Sequence, residues 1–212
     1  MQIITNPQEI EKLSFEIITE QLADRQMDEE NASVIKRVIH TTADFDYVEN
    51  LCFSEGAAAA LKQVFQNGAR IVTDTRMAMA GINKKAATRL GCDIHCFIDA
   101  PEVHEIAQRT GCTRARAAVD HAVKILEAPL VFVVGNAPTA LIRLHELIKG
   151  QGVLPAAIIA VPVGFVNVVE SKELILGLDI PHIVAKGQKG GSNVAAAICN
   201  ALLYETLEGM RT

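Results

Sequence analysis

The sequence is short of several things that would point to common functions. It has no tryptophan, two tyrosines, an aromatic content of 4 % and a formal net charge of -5. A nucleic-acid surface needs a cationic stripe and stacking rings, so no nucleic-acid partner is expected. No apolar run approaches the ~20 residues that span a bilayer, and residues 1 to 30 are acidic where a secretory leader is basic and then apolar. The expectation is a cytoplasmic protein with no membrane partner. The five cysteines, Cys52, Cys92, Cys96, Cys112 and Cys199, form an odd, scattered set with no CxxC pair, which fits neither a disulfide framework nor a zinc ribbon. Reduced, mostly buried thiols are expected. Cys92, His95 and Cys96 would share a helical face, but Asp93 to Ile98 reads as a strand that turns His95 away from both thiols, so no metal site is expected.

What the chain does have is apolar material: 50 % of its 212 residues are hydrophobic and 21 % charged, enough for one substantial core and one domain over residues 1–212. Its charge is uneven. Residues 1 to 30 carry eight acids against Lys12 and Arg25, whereas residues 70 to 90 hold Arg70, Arg76, Lys84, Lys85 and Arg89 against Asp74 alone, a local positive field for an anionic small molecule. A solvated helix face accounts equally well for Lys84, Lys85 and Arg89.

Residues 7 to 24 place Ile10, Leu13, Ile17 and Leu22 near helical spacing, with Ser14 inside the helix. A second helix is expected to start at Asp28, whose side chain can cap it, and to end near His40, closing an N-terminal helical segment of about residues 1–44. After a partly extended Phe45 to Phe53 segment and an Ala57 to Phe65 helix, Asn67-Gly68 leads into strand Arg70 to Thr73. Strands then alternate with helices at Lys84 to Leu90, Glu102 to Arg109, Arg114 to Leu126, Thr139 to Lys149, Val168 to Leu176 and Asn193 to Leu207. This alternation, with strands apolar on both faces, predicts an α/β fold: a single Rossmann-like domain whose mostly parallel sheet is flanked by helices.

The apolar runs at Ile71 to Thr73, Leu130 to Val134, Ala156 to Val161 and His182 to Ala185 each end in a polar or glycine cluster, and in a parallel sheet such ends share the ligand-binding rim. Asp74, Arg76 and Asn136 fall in these clusters. Asp74 and Arg76 could instead pair with each other. Pro138 suits a first helical position, so the amides of Gly135 to Ala137 would face the rim; Arg143, one turn on, is read as solvent-facing, and Arg114 and Arg116 as first-turn residues of a helix. In Lys186-Gly187-Gln188-Lys189-Gly190-Gly191-Ser192 the glycines let amides turn toward a carboxylate or phosphate, with Ser192 as a candidate cap and Lys186 and Lys189 as flanking cations. The segment fails the P-loop pattern, since Lys189 precedes Gly-Gly-Ser. His40 at a helix carboxyl end, with Asp44 or Asp46 nearby, suits either a proton donor or a plain capping residue.

Leu13 to Ile18 (LSFEII), Val38 to Asp44 (VIHTTAD), Gly135 to Leu141 (GNAPTAL), Pro162 to Lys172 (PVGFVNVVESK) and Gly187 to Ser192, in this order and spacing, resemble the precorrin-8X methylmutases, including their cobalt-precorrin-8 form. The resemblance runs nearly end to end. It implies a homodimeric, cofactor-free isomerase of corrin biosynthesis that moves a methyl group from C-11 to C-12 of a tetrapyrrole, giving hydrogenobyrinate or cobyrinate. By motif, it implies that His40 is the catalytic histidine and that Ser14 and Arg114 contact substrate, while Thr-Thr-Ala-Asp-Phe looks more like the cobalt branch. Arg76, Arg114, Lys186 and the amides of Gly187, Gly190 and Gly191 would then meet the substrate's acidic side chains. A tetrapyrrole carrier without catalysis is the alternative, since it shares every anion-binding feature and lacks only the need for a protonatable His40.

Overall fold

The computed structural model describes residues 3–23 and 25–210. In those residues the chain runs α1 (Pro7–Gln21), α2 (Ala32–Thr42), α3 (Tyr47–Asn50), β1 (Leu51–Phe53), α4 (Ala57–Gln66), β2 (Arg70–Thr73), α5 (Arg76–Gly81), α6 (Lys84–Arg89), β3 (Asp93–His95), α7 (Pro101–Thr110), α8 (Arg114–Ile125), β4 (Leu130–Val134), α9 (Pro138–Gln151), β5 (Ala157–Ala160), α10 (Val168–Leu176), β6 (His182–Ala185) and α11 (Ser192–Gly209). The strands form one sheet in the order β1-β6-β5-β4-β2-β3. Every pairing is parallel except β1 with β6.

Alternation along the strands feeds two cores. Val131 and Val133 of β4 join Ile71, Ile159 and Ile183 beneath α2, α4, α5, α6 and α11, while Leu130, Phe132 and Val134 face α8, α9 and α10 with Val72 and Ile158. Both faces of the sheet are thus covered, which is why the strands read as continuous apolar runs. Helix α11, with Val194, Ile198, Leu202 and Leu203 fully buried, is the central helix of the first face; α1 packs mainly on α2, at the periphery.

The alternating α/β reading holds, with local corrections. The second helix begins at Ala32; the Asp28 carboxylate instead accepts from the Glu30 amide at 3.1 Å and from the Asn31 side chain at 3.0 Å, closing a separate turn. Helix α1 ends at Gln21, and the expected end at Asp24 lies outside the described residues. The Phe45 to Phe53 segment splits into the short α3 and the antiparallel edge strand β1. Helix α5 is additional: Thr75 caps it by accepting from the Ala78 amide at 3.0 Å. Strand β3 stops at His95 rather than Ile98: its pairing with β2 ends at Val72 opposite His95, and the His95 carbonyl accepts from the Thr73 hydroxyl (3.2 Å). No disulfide forms among the five thiols; Cys92 and Cys199 are buried, while Cys52, Cys96 and Cys112 are only half-buried, fewer enclosed than expected.

Candidate functional site

Because β2, β4, β5 and β6 run parallel, their carboxyl ends share one rim, as the sequence led us to expect. Asp74, just past β2, organises it. Its buried carboxylate accepts from the backbone amides of Gly135 (2.9 Å), Asn136 (2.8 Å) and Ala137 (2.7 Å). Burial pushes the Asp74 carboxyl upward while those amide bonds pull it down. The amides expected to face a ligand are therefore held by an internal carboxylate, and Asp74 pairs with them rather than with Arg76. Asn136 itself remains exposed.

Packing at the rim leaves no room for larger residues at two points. A Cβ on Gly135 would lie 2.7 Å from the Ser192 Cα, and one on Gly190 would lie 2.1 Å from the Val161 carbonyl oxygen. Ser192 does not cap α11, whose N-cap is Gly191; its hydroxyl bonds to the Thr75 hydroxyl at 2.7 Å, tying the start of α11 to the start of α5.

His40 lies in the last turn of α2 with its side chain exposed, and the helix ends at Ala43 in the left-handed region (φ 54°). Its ring stacks on Phe15 of α1, with centroids 5.2 Å apart and planes 13° apart. On its open side is a cleft of about 280 Å³ bounded by Thr41, Gly81, Asn193, Ala197 and Asn200. The cleft meets a second depression of about 390 Å³ at Arg37 and Tyr204. There the Arg37 guanidinium lies over Phe15 (4.6 Å) and Tyr204 (5.5 Å) and pairs with Glu11 at 2.8 Å. Ser14, one residue from Phe15, is half-buried, and its hydroxyl donates to the Ile10 carbonyl at 2.7 Å.

Asp44 and Asp46 behave differently from the sequence reading. Both accept from the Lys189 ammonium at 2.6 Å, so their charge is offset by a lysine rather than directed at His40. That bond lowers the Asp44 carboxyl, and the two carboxylates raise the Lys189 ammonium. The glycine-rich 186–192 segment is thereby attached to the chain just beyond His40. Lys186, Gly187 and Lys189 are exposed, Gly190 half-buried and Gly191 buried.

A second group sits farther along the rim. Asp99 accepts from Arg76 Nε (2.7 Å) and from Arg114 Nη1 (3.1 Å). Arg114, in the first turn of α8, also lies 3.5 Å from His104 Nε2. Arg143 is not solvent-facing: it bonds Asp120 and Glu146, each at 2.8 Å, and Arg116 bonds Glu146 at 2.6 Å. These two guanidinium groups hold the Glu146 carboxyl down at about 2.

Within one chain the structure thus brings His40 to the start of α11 and groups Arg76 with Arg114, while Arg114 does not border the His40 cleft. Among the described residues no group of three or more His, Cys, Asp or Glu side chains is placed to hold a metal ion, and no helix is long and apolar enough to cross a membrane. Phe15, Arg37, Asp99 and Lys172 escaped the sequence reading. Only Lys172 left a usable signal, since it shares the buried face of α10 with Val168 and Ile175, at positions where a lysine is out of place.

Residues 9–205 match the family model described as precorrin-8X methylmutase. The chain is 46 % identical to the cobalt-precorrin-8 methylmutase of Salmonella typhimurium, over 98 % of this chain and 100 % of that protein. It is 41 % identical to the protein of the same name from Leptospira interrogans, over 96 % of each. A crystal structure of precorrin-8x methyl mutase from Thermus thermophilus superposes with a TM-score of 0.86 at 38 % identity, covering 94 % of this chain and 98 % of that one.

Proposed function

The chain belongs to the precorrin-8X methylmutase family, and from that membership we propose that His40 is the proton donor and acceptor for a methyl shift from C-11 to C-12 of precorrin-8X or its cobalt complex. The enzyme is an isomerase of corrin biosynthesis. A concerted migration breaks and makes carbon bonds without a protein nucleophile, so the protein selects a tautomer and holds the ring in a reactive shape. Protonating the conjugated system lowers the barrier, an effect typically worth ~10²- to 10⁴-fold. In the cobalt complex, toward which the Thr41 to Phe45 stretch inclines, the ring nitrogens are occupied, so His40 acts either at carbon or on the neighbouring electrostatics.

The observation that carries the reading is the exposed imidazole, stacked on Phe15 at 5.2 Å and bordering an open cleft. Arg114 and Arg76, drawn together by Asp99, are cations for the substrate's acetate and propionate arms, with Ser14, Asn136, Lys186 and the amides of Gly187 and Gly190 as further contacts; the Gly191 amide is taken by the Val161 carbonyl at 2.8 Å and the buried Ser192 hydroxyl by Thr75, so neither is offered to substrate. Asp74 serves that surface by fixing the 135–137 amides. A second copy of the chain completes the site. In favour of a homodimer, α1 exposes Ile10, Leu13 and Ile17, the loop after β5 exposes Phe165 (83 %) and Val166 (77 %), and the Arg114 group stands apart from the His40 cleft of its own chain. The reading takes residues 1–212 as one cytoplasmic methylmutase domain.

His40→Ala is expected to bind product normally and to lose turnover at least 100-fold. Purified variant and wild type are assayed side by side on both substrate forms, following the visible spectrum; near-normal conversion by the variant removes His40 from the mechanism, and binding without conversion by the wild type leaves the carrier reading in its place.

A further inference from the structure

We propose that Lys172 is a positioning residue of this active site: its ammonium fixes the carbonyls of Gly187 and Lys189, so that the Lys189 side chain reaches Asp44 and Asp46 and holds the turn that ends the His40 helix. The inference rests on the reading of His40 as the acting group.

Lys172 is 1 % exposed, among the largest fully buried side chains of the protein. It emerges from the apolar face of α10, and its Nζ donates to the Gly187 carbonyl at 2.7 Å and to the Lys189 carbonyl at 2.8 Å. Burial pushes its ammonium down to about 8. An unbranched apolar residue would fill this space without the cost of desolvating a cation, so the lysine's contribution is the two directed bonds.

The segment it holds needs external support. Gly187 (φ 73°) takes a backbone conformation that side chains rarely adopt, and a run with three glycines fixes little by itself. Backbone bonds secure the ends, from the Lys186 amide to the Asn50 carbonyl (2.7 Å) and from the Gly191 amide to the Val161 carbonyl (2.8 Å). Between them the Gln188 carbonyl accepts from the Gly164 amide at 3.1 Å, and the carbonyls on either side of Gln188 are those that Lys172 holds.

From Lys189 the connection continues to the helix end. Its ammonium lies 2.6 Å from a carboxylate oxygen of both Asp44 and Asp46. The Asp44 amide donates to the Thr42 hydroxyl (3.2 Å) and the Asp46 amide to Asp44 Oδ1 (3.0 Å). Ala43, between His40 and this pair, has the left-handed φ of 54°, which a residue with a Cβ holds only when its surroundings determine it. Lys172 thus acts on His40 through two linked contacts and touches neither substrate nor imidazole.

The test uses the full chain as Lys172→Met, Lys189→Gln and the double variant, assayed on precorrin-8X, with melting temperature and the His40 Hε1 NMR resonance recorded for each. Each single variant is expected to lower kcat roughly tenfold and to shift or broaden the His40 resonance, since small displacements of a reacting group cost rate steeply. The double variant is expected to be no slower than the slower single one, because both break the same connection. A lysine with only a structural role would lower the melting temperature of Lys172→Met while leaving kcat and the His40 resonance at wild-type values; that result overturns the inference, as does a double variant whose losses multiply. If Lys172→Met does not fold, Lys189→Gln, altered at an exposed side chain, decides by the same two readouts. Turnover retained by His40→Ala would defeat the reading of His40, whereas an unmoved resonance in the lysine variants defeats the positioning inference alone.

Discussion

The rings of His40 and Phe15 lie nearly parallel, 5.2 Å apart, so that α1 supplies a platform for the imidazole on α2. Stacked pairs of this kind contribute ~0.5–1.5 kcal/mol beyond the area they bury. Without the platform the imidazole gains rotamers that face away from the cleft. Phe15→Ala is expected to reduce kcat by about 2- to 10-fold at little cost in product binding, and Phe15→Tyr to retain the wild-type rate. Equal kcat in the alanine variant would show that the stack does not orient His40.

Arg114 is half-exposed and shares Asp99 with Arg76. A hydrogen bond to a charged group is worth ~1.5–3 kcal/mol, so Arg114→Ala should weaken binding of the coloured product by about 10- to 100-fold. Spectral titration with product checks this; an unchanged curve would remove Arg114 from the binding surface.

Asp74 answers three backbone amides from a buried position. Asp74→Ala leaves them without an acceptor, for which a loss of ~3 kcal/mol of stability is expected. Asp74→Asn, which keeps one acceptor oxygen, should lose less. Urea unfolding of wild type and both variants measures the losses, and a wild-type midpoint for Asp74→Ala would mean that the carboxylate does not hold the rim.

Glu146 provides a pH-dependent contribution on the far face of the sheet. Its folded pKa, about 2, lies below the ordinary glutamate value of 4.5, so the pairing with Arg116 and Arg143 stabilises the fold above pH 4.5 and is lost as pH falls through about 2. Glu146 is 39 % exposed, and after solvent screening the contribution is about 1 kcal/mol. Glu146→Gln should flatten the acid limb of the stability curve between those two values, followed by circular dichroism; parallel curves for variant and wild type would contradict the assignment.

Much of the fold was legible in the chain because strands buried on both faces must be continuously apolar, and the runs ending at Thr73, Val134, Val161 and Ala185 are. The rim followed from topology. Helix α5 was missed because six residues give too short a periodic signal, its cap at Thr75 being the only local cue. Asp28 was misjudged because a carboxylate that can cap a helix can equally close a turn.

The sequence by itself determined the α/β architecture, the family motifs and the placing of His40 at a helix end, since periodicity and residue order are local properties of a chain. Partner choice among charges was decided only by the tertiary structure. Asp74 turned to the 135–137 amides, Asp44 and Asp46 to Lys189, Arg143 to Asp120 and Glu146, and Lys172 to two loop carbonyls. The physical reason is that an ion pair or a buried hydrogen bond depends on distances of about 3 Å between residues remote in sequence, and those distances exist only once the sheet and both helical layers have packed.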